Sequence, residues 1–190
     1  MYLVIEGIDG VGKSTQIDLL KQVFPEAVFT KEPGGTLLGK TIREMVLGGH
    51  DYAPATELLL FLADRAEHID KVVAPGRTNG LVVSDRSMVS GIAYAEQGFD
   101  LRTLVELNRF ATGGILPEKM VHLVIDEATL KARLGSRPRD HIESRGYDFL
   151  LRIQERIAEA GKALGIEILT LEATLSPENI HQKIVKFLAR

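Results

Sequence analysis

The chain has 190 residues, of which 45% are hydrophobic and 26% are charged, and its formal net charge is −3. This composition is typical of a globular chain with a sizeable core and excludes disorder over most of the length, while the small negative charge argues against a dedicated nucleic-acid-binding protein. Cysteine is absent and the five histidines do not cluster, which excludes disulfides, thiolate nucleophiles and cysteine zinc sites and argues against a histidine metal site.

Segments typical of strands and of helices alternate along the whole chain. Short apolar runs predict strands, and apolar residues at helical spacing between Gly, Pro and capping residues predict helices. The predicted order is strand 2–5, helix 14–24, strand 27–30, helix 38–47, helix 54–69, strand 81–84, helices 87–97 and 101–112, strand 120–125, helix 127–134, loop 135–141, helix 142–163, strand 167–171 and a last helix from residue 177. The length suits a single domain over residues 1–190.

This alternation predicts an α/β fold in which helices flank a parallel five-stranded sheet. Ligands of such sheets bind at the carboxyl ends of the strands. Those ends lie at Gly7, Lys31, Asp85 and Asp126, so the polar side chains that follow them are the first candidates for a site.

No segment has the length of a membrane span. The longest apolar run, residues 58–63, is far shorter than the roughly 20 residues that a spanning helix needs. The first five residues are followed closely by Glu6 and Asp9 and lack the basic start and long apolar stretch of a signal peptide. We therefore expect a cytoplasmic protein with neither a membrane nor a nucleic-acid partner.

Residues 7–14 have the sequence Gly-Ile-Asp-Gly-Val-Gly-Lys-Ser, which fits the phosphate-loop pattern between a predicted strand and a predicted helix. In such a loop the backbone N–H groups and the helix N-terminus bind phosphates, Lys13 neutralises the β- and γ-phosphates, and Ser14 offers a hydroxyl to Mg²⁺. The pattern predicts nucleoside triphosphate binding but does not distinguish a kinase from an ATPase. A GTPase is disfavoured, because residues 30–33 lack the Asp of a guanine-reading tetrapeptide.

Asp85 and Arg86 follow a predicted strand and are candidates for phosphate chemistry. A carboxylate at this place can hold the water shell of Mg²⁺, and an arginine can bind a phosphate with two hydrogen bonds. A structural ion pair at the strand end explains the same two residues equally well.

Phe61 and Arg65 are four residues apart on a predicted helix and therefore share a face. An aromatic ring beside a guanidinium can bind a planar base by stacking and hydrogen bonding. On the pattern alone the alternative is favoured, in which Phe61 belongs to the core, because it lies within the apolar run 58–63.

The segment 131–145 carries five basic residues against two acidic ones, a local charge of +3. A basic loop with Gly and Pro before a long helix can close over a triphosphate and neutralise charge there. We therefore predict a closing loop (LID) over about 135–147. The alternative is a solvated charged loop.

Four stretches together resemble the bacterial thymidylate kinases, and the similarity runs nearly end to end. They are residues 6–16 (Glu-Gly-Ile-Asp-Gly-Val-Gly-Lys-Ser-Thr-Gln), residues 30–36 (Thr-Lys-Glu-Pro-Gly-Gly-Thr), Phe61 with Arg65, and residues 85–87 (Asp-Arg-Ser). The resemblance implies the phosphate-loop NTPase fold and transfer of the γ-phosphoryl group of MgATP to dTMP, giving dTDP for dTTP biosynthesis. It also implies a homodimer.

The resemblance implies roles for individual residues. Phe61 would stack on thymine, Arg65 would bond the base, Arg86 with Arg43 would hold the dTMP phosphate, Asp9 would approach the 3′-hydroxyl, and Tyr94 would crowd the 2′ position. The full set expected at dTMP is Asp9, Glu32, Arg43, Phe61, Arg65, Arg86, Ser90, Gly91 and Tyr94. The set expected at ATP is Gly7, Ile8, Asp9, Gly10, Val11, Gly12, Lys13, Ser14, Thr15 and Arg133, with Ser14 and Asp85 at Mg²⁺.

Two departures from the family pattern concern catalysis. Ser87 stands where the family usually has Tyr or His, and the phosphate loop carries no basic residue at Gly10 or Val11. Relatives of that kind use an Arg in the closing loop, but the corresponding position is His141 here. We hypothesise that Arg137 or Arg139 supplies the charge, so that the expected catalytic residues are Lys13, Asp85, Arg86, Arg137 and Arg139.

Two other functions stay open on the sequence. A nucleoside kinase would need a base to take the hydroxyl proton, and Asp9 or Glu6 could serve. A regulatory nucleotide-binding module would bind ATP without an acceptor site, against which the basic loop and Arg86 argue.

Overall fold

The computed structural model describes residues 1–95, 98–135 and 146–190. They contain five strands: β1 (Tyr2–Glu6), β2 (Val28–Lys31), β3 (Val82–Asp85), β4 (Lys119–Val124) and β5 (Glu167–Glu172). All neighbouring strands are parallel, and their order in the sheet is β2-β3-β1-β4-β5. The predicted parallel five-stranded sheet is therefore confirmed.

Helices connect the strands. In the described chain they are α1 (Lys13–Val23), α2 (Leu37–Leu47), α3 (Pro54–His68), α4 (Ala74–Asn79), α5 (Met88–Tyr94), α6 (Leu101–Ala111), α7 (Glu127–Leu134), α8 (Tyr147–Leu164) and α9 (Pro177–Leu188). Several begin at a side chain that accepts a hydrogen bond from a backbone N–H of the first turn, which explains why the chain turns into a helix there. These caps are Thr36, Ser87, Asp100, Asp126 and Ser176.

Two helix boundaries differ from the prediction by more than one residue, and the helical segment that follows α3 was not predicted. The helix predicted to end at residue 97 ends at Tyr94. The long helix predicted from residue 142 begins at Tyr147, directly after Gly146 with its φ of 99°, and residues 142–145 lie outside the described chain. After α3 the chain continues through a π-helical turn at Ile69–Val73 into α4, where Pro75 interrupts the regular hydrogen bonds because it has no N–H.

The core lies on both sides of the central strands. Every residue of β1 is buried, as expected for a strand whose two faces are covered by helices. Helices α5 and α8 pack together on this sheet, and α1 packs against α9. No helix in the described part of the chain is long and apolar enough to cross a membrane.

The register of the sheet brings three carboxyl ends together. Ile5 and Lys31 are both paired with Asp85, so β1, β2 and β3 end at the same level. The loops after these strands therefore converge at one edge, which is where ligands bind in a parallel α/β sheet.

Candidate active site

The phosphate loop runs from the end of β1 to the start of α1. Gly7 has a φ of +148°, and a Cβ there would lie 2.6 Å from the carbonyl oxygen of Leu123. Gly12 has a φ of 96° and begins α1. Both positions need glycine, the first because β4 passes too closely for a side chain and the second because of its left-handed backbone.

The side chains of the loop divide between core and site. Ile8 and Val11 are buried in the core, so only their backbone groups can face a ligand. The Nζ of Lys13 donates to the carbonyl oxygens of Gly7 and Ile8, at 3.0 Å each. Burial, with the charge of Arg86, lowers the pKa of Lys13 to about 8. Lys13 thus lies against the loop, where the negative charge of a bound phosphate would raise its pKa again.

A cavity beside the loop has oxygen donors suited to Mg²⁺. Ser14 and Asp85 both line it. The Oδ1 of Asp85 is buried and, within the described chain, has no hydrogen-bond partner. Hydroxyl and carboxylate oxygens are the donors that Mg²⁺ prefers, and the metal usually keeps several waters. These two residues therefore fit the metal predicted from the sequence.

A second cavity lies between α3, α5 and the carboxyl ends of β2 and β3. All nine residues expected at the acceptor line it: Asp9, Glu32, Arg43, Phe61, Arg65, Arg86, Ser90, Gly91 and Tyr94. The loop between α2 and α3 covers another side with His50 and Tyr52, which the sequence analysis did not single out. Asp9 belongs to the phosphate loop, so this cavity and the phosphate loop adjoin.

Phe61 lies on this cavity and not in the core. Its ring is partly exposed and does not belong to the buried apolar cluster, to which its neighbours Leu58 and Leu62 contribute. The alternative that assigned Phe61 to the core is therefore wrong. An apolar run on a helix places some members on each face, and Phe61 falls on the face toward the cavity.

Arg65 is buried and held by three groups. Its Nε donates to Glu32 Oε2 at 2.9 Å, one Nη to Asn108 Oδ1 at 2.6 Å, and the other Nη to the Ser87 carbonyl at 3.4 Å. Gly91 leaves room for the guanidinium, because a Cβ there would lie 2.6 Å from it. The orientation of Arg65 is therefore fixed before any ligand binds.

Glu32 uses both carboxylate oxygens within the protein. Oε2 bonds Arg65, and Oε1 is 2.8 Å from the Nδ1 of His68, whose Nε2 is 2.7 Å from the Thr30 hydroxyl. Burial opposes the charge of Glu32, but Arg65 and His68 together lower its pKa below the usual value. Glu32 lines the cavity as expected, and its direct contacts are with Arg65 and His68.

Arg86 connects the acceptor cavity to the phosphate loop. Its Nη2 is 2.7 Å from Asp9 Oδ1, and its Nη1 is 3.1 Å from the Ser90 hydroxyl. The guanidinium carbon lies 5.5 Å from the ring centre of Tyr94. The φ of Arg86 is 68°, a strained value for a residue with a side chain. Strain of this kind persists where surrounding hydrogen bonds fix the backbone. Here the Arg86 N–H donates to the Ile5 carbonyl, and the Ser84 hydroxyl donates to the Arg86 carbonyl.

Two further arginines lie at the expected places. Arg43 lines the acceptor cavity and donates to the Pro33 carbonyl at 3.0 Å. Arg133 donates to the Gly10 carbonyl at 3.1 Å and to the Ala173 carbonyl at 2.6 Å, so it contacts the phosphate loop. Arg137, Arg139 and His141 lie outside the described residues.

The sequence analysis missed several residues that hold the site. Glu6, which it considered only as a possible base, and Asn108 and His68, which it did not consider, are fully buried and hydrogen-bonded to site residues. The sequence contains an indication for two of these residues. Glu6 is a carboxylate directly after an apolar strand, and Asn108 follows the buried Leu104 by four residues on the same helix face.

Comparisons with known proteins agree with this geometry. A family model described as Thymidylate kinase matches residues 5–184. The chain belongs to the thymidylate kinase family. A thymidylate kinase of Wolinella succinogenes is 55% identical over 185 residues, 97% of this chain and 96% of that protein. One of Aliarcobacter butzleri is 50% identical, covering 99% of this chain and 98% of that protein. A crystal structure of thymidylate kinase from Ehrlichia chaffeensis has a TM-score of 0.78 at 26% identity, with 100% of this chain and 98% of that chain covered.

Thymidylate kinases phosphorylate dTMP to dTDP using ATP, and membership of the family confirms the enzyme class and the phosphate-loop NTPase fold expected from the sequence.

The structure shows how Ser87 fills the position at which the family usually has the ring of a Tyr or His. Ser87 is buried, donates to Glu6 at 2.7 Å and caps α5 by accepting from the Val89 N–H. The position is thus filled by a small polar group with its own bonds.

The buried pair of Glu32 and Arg65 yields a stability prediction. Glu32→Gln keeps the volume but leaves the Arg65 guanidinium buried without its counter-charge. We expect the free energy of unfolding to fall by about 3–5 kcal/mol, measured by urea unfolding.

Two further variants test the physical reason. Glu155→Gln, at an exposed position of α8, should change the stability by less than about 0.5 kcal/mol. The double variant Glu32→Gln, Arg65→Gln should be less destabilised than Glu32→Gln alone, because it leaves no unpaired charge. A loss below about 1 kcal/mol in Glu32→Gln would contradict the assignment.

Proposed function

We propose that this chain transfers the γ-phosphoryl group of MgATP to the 5′-phosphate of dTMP, giving dTDP and ADP. The contact between Arg86 and Asp9, at 2.7 Å, carries the proposal. It joins the arginine expected at the acceptor phosphate to the loop expected at the donor phosphates. The two phosphates would therefore meet at Arg86, as an in-line transfer requires.

The reaction needs no general base. The attacking atom is an oxygen of the dTMP phosphate, which is already anionic, so the new P–O bond forms without proton removal while the bond to the ADP oxygen breaks. Catalysis then consists of alignment and neutralisation of charge. Lys13 neutralises the donor phosphates, and Arg86 with Arg43 aligns the acceptor phosphate.

Ser14 and Asp85 would hold Mg²⁺, partly through water. The ion neutralises charge on the β- and γ-phosphates when it is bound. The rest of the ATP site consists of the backbone N–H groups of residues 7–15 and of Arg133, whose contact with the Gly10 carbonyl supports this assignment. The donor groups of the loop and the positive end of α1 suit an anionic ligand.

The acceptor roles are those that the resemblance implies. Phe61 stacks on the thymine ring, and the remaining N–H groups of Arg65 bond the base. Asp9 approaches the 3′-hydroxyl, and Tyr94 crowds the 2′ position. Ser90 and Gly91 lie along the pyrimidine edge. All of these residues line the same cavity, which supports a nucleoside monophosphate as the acceptor.

Several expectations stay predictions. They are the single domain over residues 1–190, the closing loop at about 135–147 with Arg137 or Arg139 as its catalytic charge, the homodimer and the cytoplasmic location. Arg133 at the phosphate loop supports a closing loop in its neighbourhood, because the predicted segment begins two residues later.

A nucleoside kinase is the second candidate function, and the contacts of the two possible bases disfavour it. Glu6 is fully buried and accepts hydrogen bonds from two serine hydroxyls, so it does not face the cavity. Asp9 faces the cavity, but its carboxylate is already engaged by the Arg86 guanidinium at 2.7 Å.

The test of the function is ADP release from MgATP with a panel of acceptors. We expect strong turnover with dTMP, weaker turnover with dUMP and negligible turnover with thymidine, UMP, CMP, AMP or GMP. Turnover with thymidine but not dTMP would overturn the proposal in favour of a nucleoside kinase. Tight ATP binding without any turnover would favour a regulatory module.

Phe61→Ala tests base stacking. Because stacking of a base on an aromatic ring contributes about 1–3 kcal/mol, we expect the KM for dTMP to rise about tenfold or more, with the KM for ATP unchanged. Phe61→Tyr is the matched control, since it keeps the ring and should keep the KM near the wild-type value. An unchanged KM in Phe61→Ala would remove the ring from the substrate site.

Single alanine substitutions test the charge of the closing loop. We expect Arg137→Ala or Arg139→Ala to lower kcat at least about tenfold, because a neutral His at residue 141 compensates phosphate charge less well than Arg. Steady-state kinetics at saturating ATP and dTMP give the comparison. Full turnover in both variants, with turnover lost in His141→Ala, would assign the role to His141.

A further inference from the structure

We propose that Glu6, which none of these roles uses, is a positioning residue for Arg86 and acts through Ser90. The inference rests on the proposed function, in which Arg86 holds the acceptor phosphate. Glu6 makes no direct hydrogen bond to Arg86 among the described contacts. Its effect is transmitted by the hydroxyl that lies between them.

The side chain of Glu6 is enclosed at the end of β1, directly before the phosphate loop, and none of its surface is exposed. Each of its oxygens accepts one hydroxyl hydrogen bond. Oε2 accepts from Ser90 at 2.5 Å, and Oε1 accepts from Ser87 at 2.7 Å. A buried carboxylate is costly unless its bonds are satisfied, and here both oxygens are bonded.

The direction of these bonds determines what Ser90 can offer Arg86. A hydroxyl has a single hydrogen, and Ser90 gives it to Glu6. The lone pairs of the Ser90 oxygen are therefore left for the Nη1 of Arg86, which donates to it at 3.1 Å. An ionised carboxylate can only accept, so Glu6 keeps the hydroxyl pointed away from the guanidinium.

The hydrogen bond from Arg86 to Ser90 fixes one side of the Arg86 guanidinium. Asp9 bonds Nη2, and Ser90 bonds Nη1, so the protein holds both terminal nitrogens from different elements. Without the Ser90 bond, the side chain of Arg86 could rotate about its contact with Asp9. Misplacement of a binding group by about 1 Å can lower activity about a hundredfold.

The second oxygen of Glu6 orders the start of α5. Ser87 gives its hydrogen to Glu6 and accepts the Val89 N–H, which caps the helix. The carbonyl of the same Ser87 accepts from Arg65. Glu6 thus supports the segment that contacts both Arg65 and Arg86, and the hydrogen bond from Ser90 connects it to Arg86.

Glu6→Gln tests the inference. The amide keeps the volume but has only one accepting oxygen, so one of the two serine hydroxyls loses its acceptor. We expect the KM for dTMP to rise about tenfold while the KM for ATP stays within about twofold, a pattern that indicates lost binding of one substrate. Glu167→Gln is the matched control, because Glu167 is exposed at the amino end of β5, and it should leave both KM values unchanged.

The Glu6→Gln substitution, made in a Ser90→Ala variant, tests whether Glu6 acts through Ser90. If Glu6 acts through Ser90, Glu6→Gln should change the KM for dTMP by less than about twofold in that background. An undiminished effect in Ser90→Ala would overturn the route, and an unchanged KM for dTMP in Glu6→Gln alone would overturn the proposal. An equal rise of both KM values would indicate a merely structural carboxylate.

Glu6→Asp is the second variant if Glu6→Gln does not fold. This variant keeps the charge but shortens the side chain by one methylene. If the role of Glu6 is purely electrostatic, the KM for dTMP should not change. If Glu6 positions Arg86 through its hydrogen bond with Ser90, the KM for dTMP should rise. The wild-type chain is measured first. Its failure to phosphorylate dTMP would refute the proposed function, and the inference with it, whereas normal wild-type turnover with a normal Glu6 variant would refute the inference alone.

Discussion

Withdrawal of two guanidinium groups from most of their water is the constraint on which the site depends. Arg65 is buried and Arg86 is partly buried in the lining of the acceptor cavity, and a charge so placed is costly without a counter-charge. Glu32 supplies that charge to Arg65 from the end of β2, and Asp9 supplies it to Arg86 from the phosphate loop. The charges of the site are therefore balanced between elements that are distant in sequence and adjacent in space.

The sheet makes this balance possible because its register is fixed. Ile5 and Lys31 are both paired with Asp85 close to the ends of three parallel strands, so the residues after them lie within hydrogen-bond distance of one another. The left-handed backbone at Arg86 then directs its side chain toward the phosphate loop. A slip of one residue in either pairing would turn these side chains to the other face and separate both ion pairs.

Local patterns predicted the sheet and the phosphate loop, because each depends on spacing within a few residues, whereas most members of the acceptor cavity were implied by the resemblance to the thymidylate kinases. They did not predict the hydrogen bonds of Glu6 with Ser87 and Ser90, which lie 81 and 84 positions further along the chain. Nor did they predict the hydrogen bond from Arg65 to Asn108. Such contacts depend on how helices pack on the sheet. Phe61 illustrates the same limit, since its apolar neighbours suggested the core and the packing of α3 placed it on the cavity.

A kinase whose acceptor is already anionic gains little from proton transfer, so its rate must come from the position of charges. That requirement explains why two buried carboxylates of the site use both oxygens within the protein. Glu32 divides its oxygens between Arg65 and His68, and Glu6 divides its own between Ser87 and Ser90. Each carboxylate therefore limits the movement of a neighbouring element, and the arginines meet a ligand with their orientation already set.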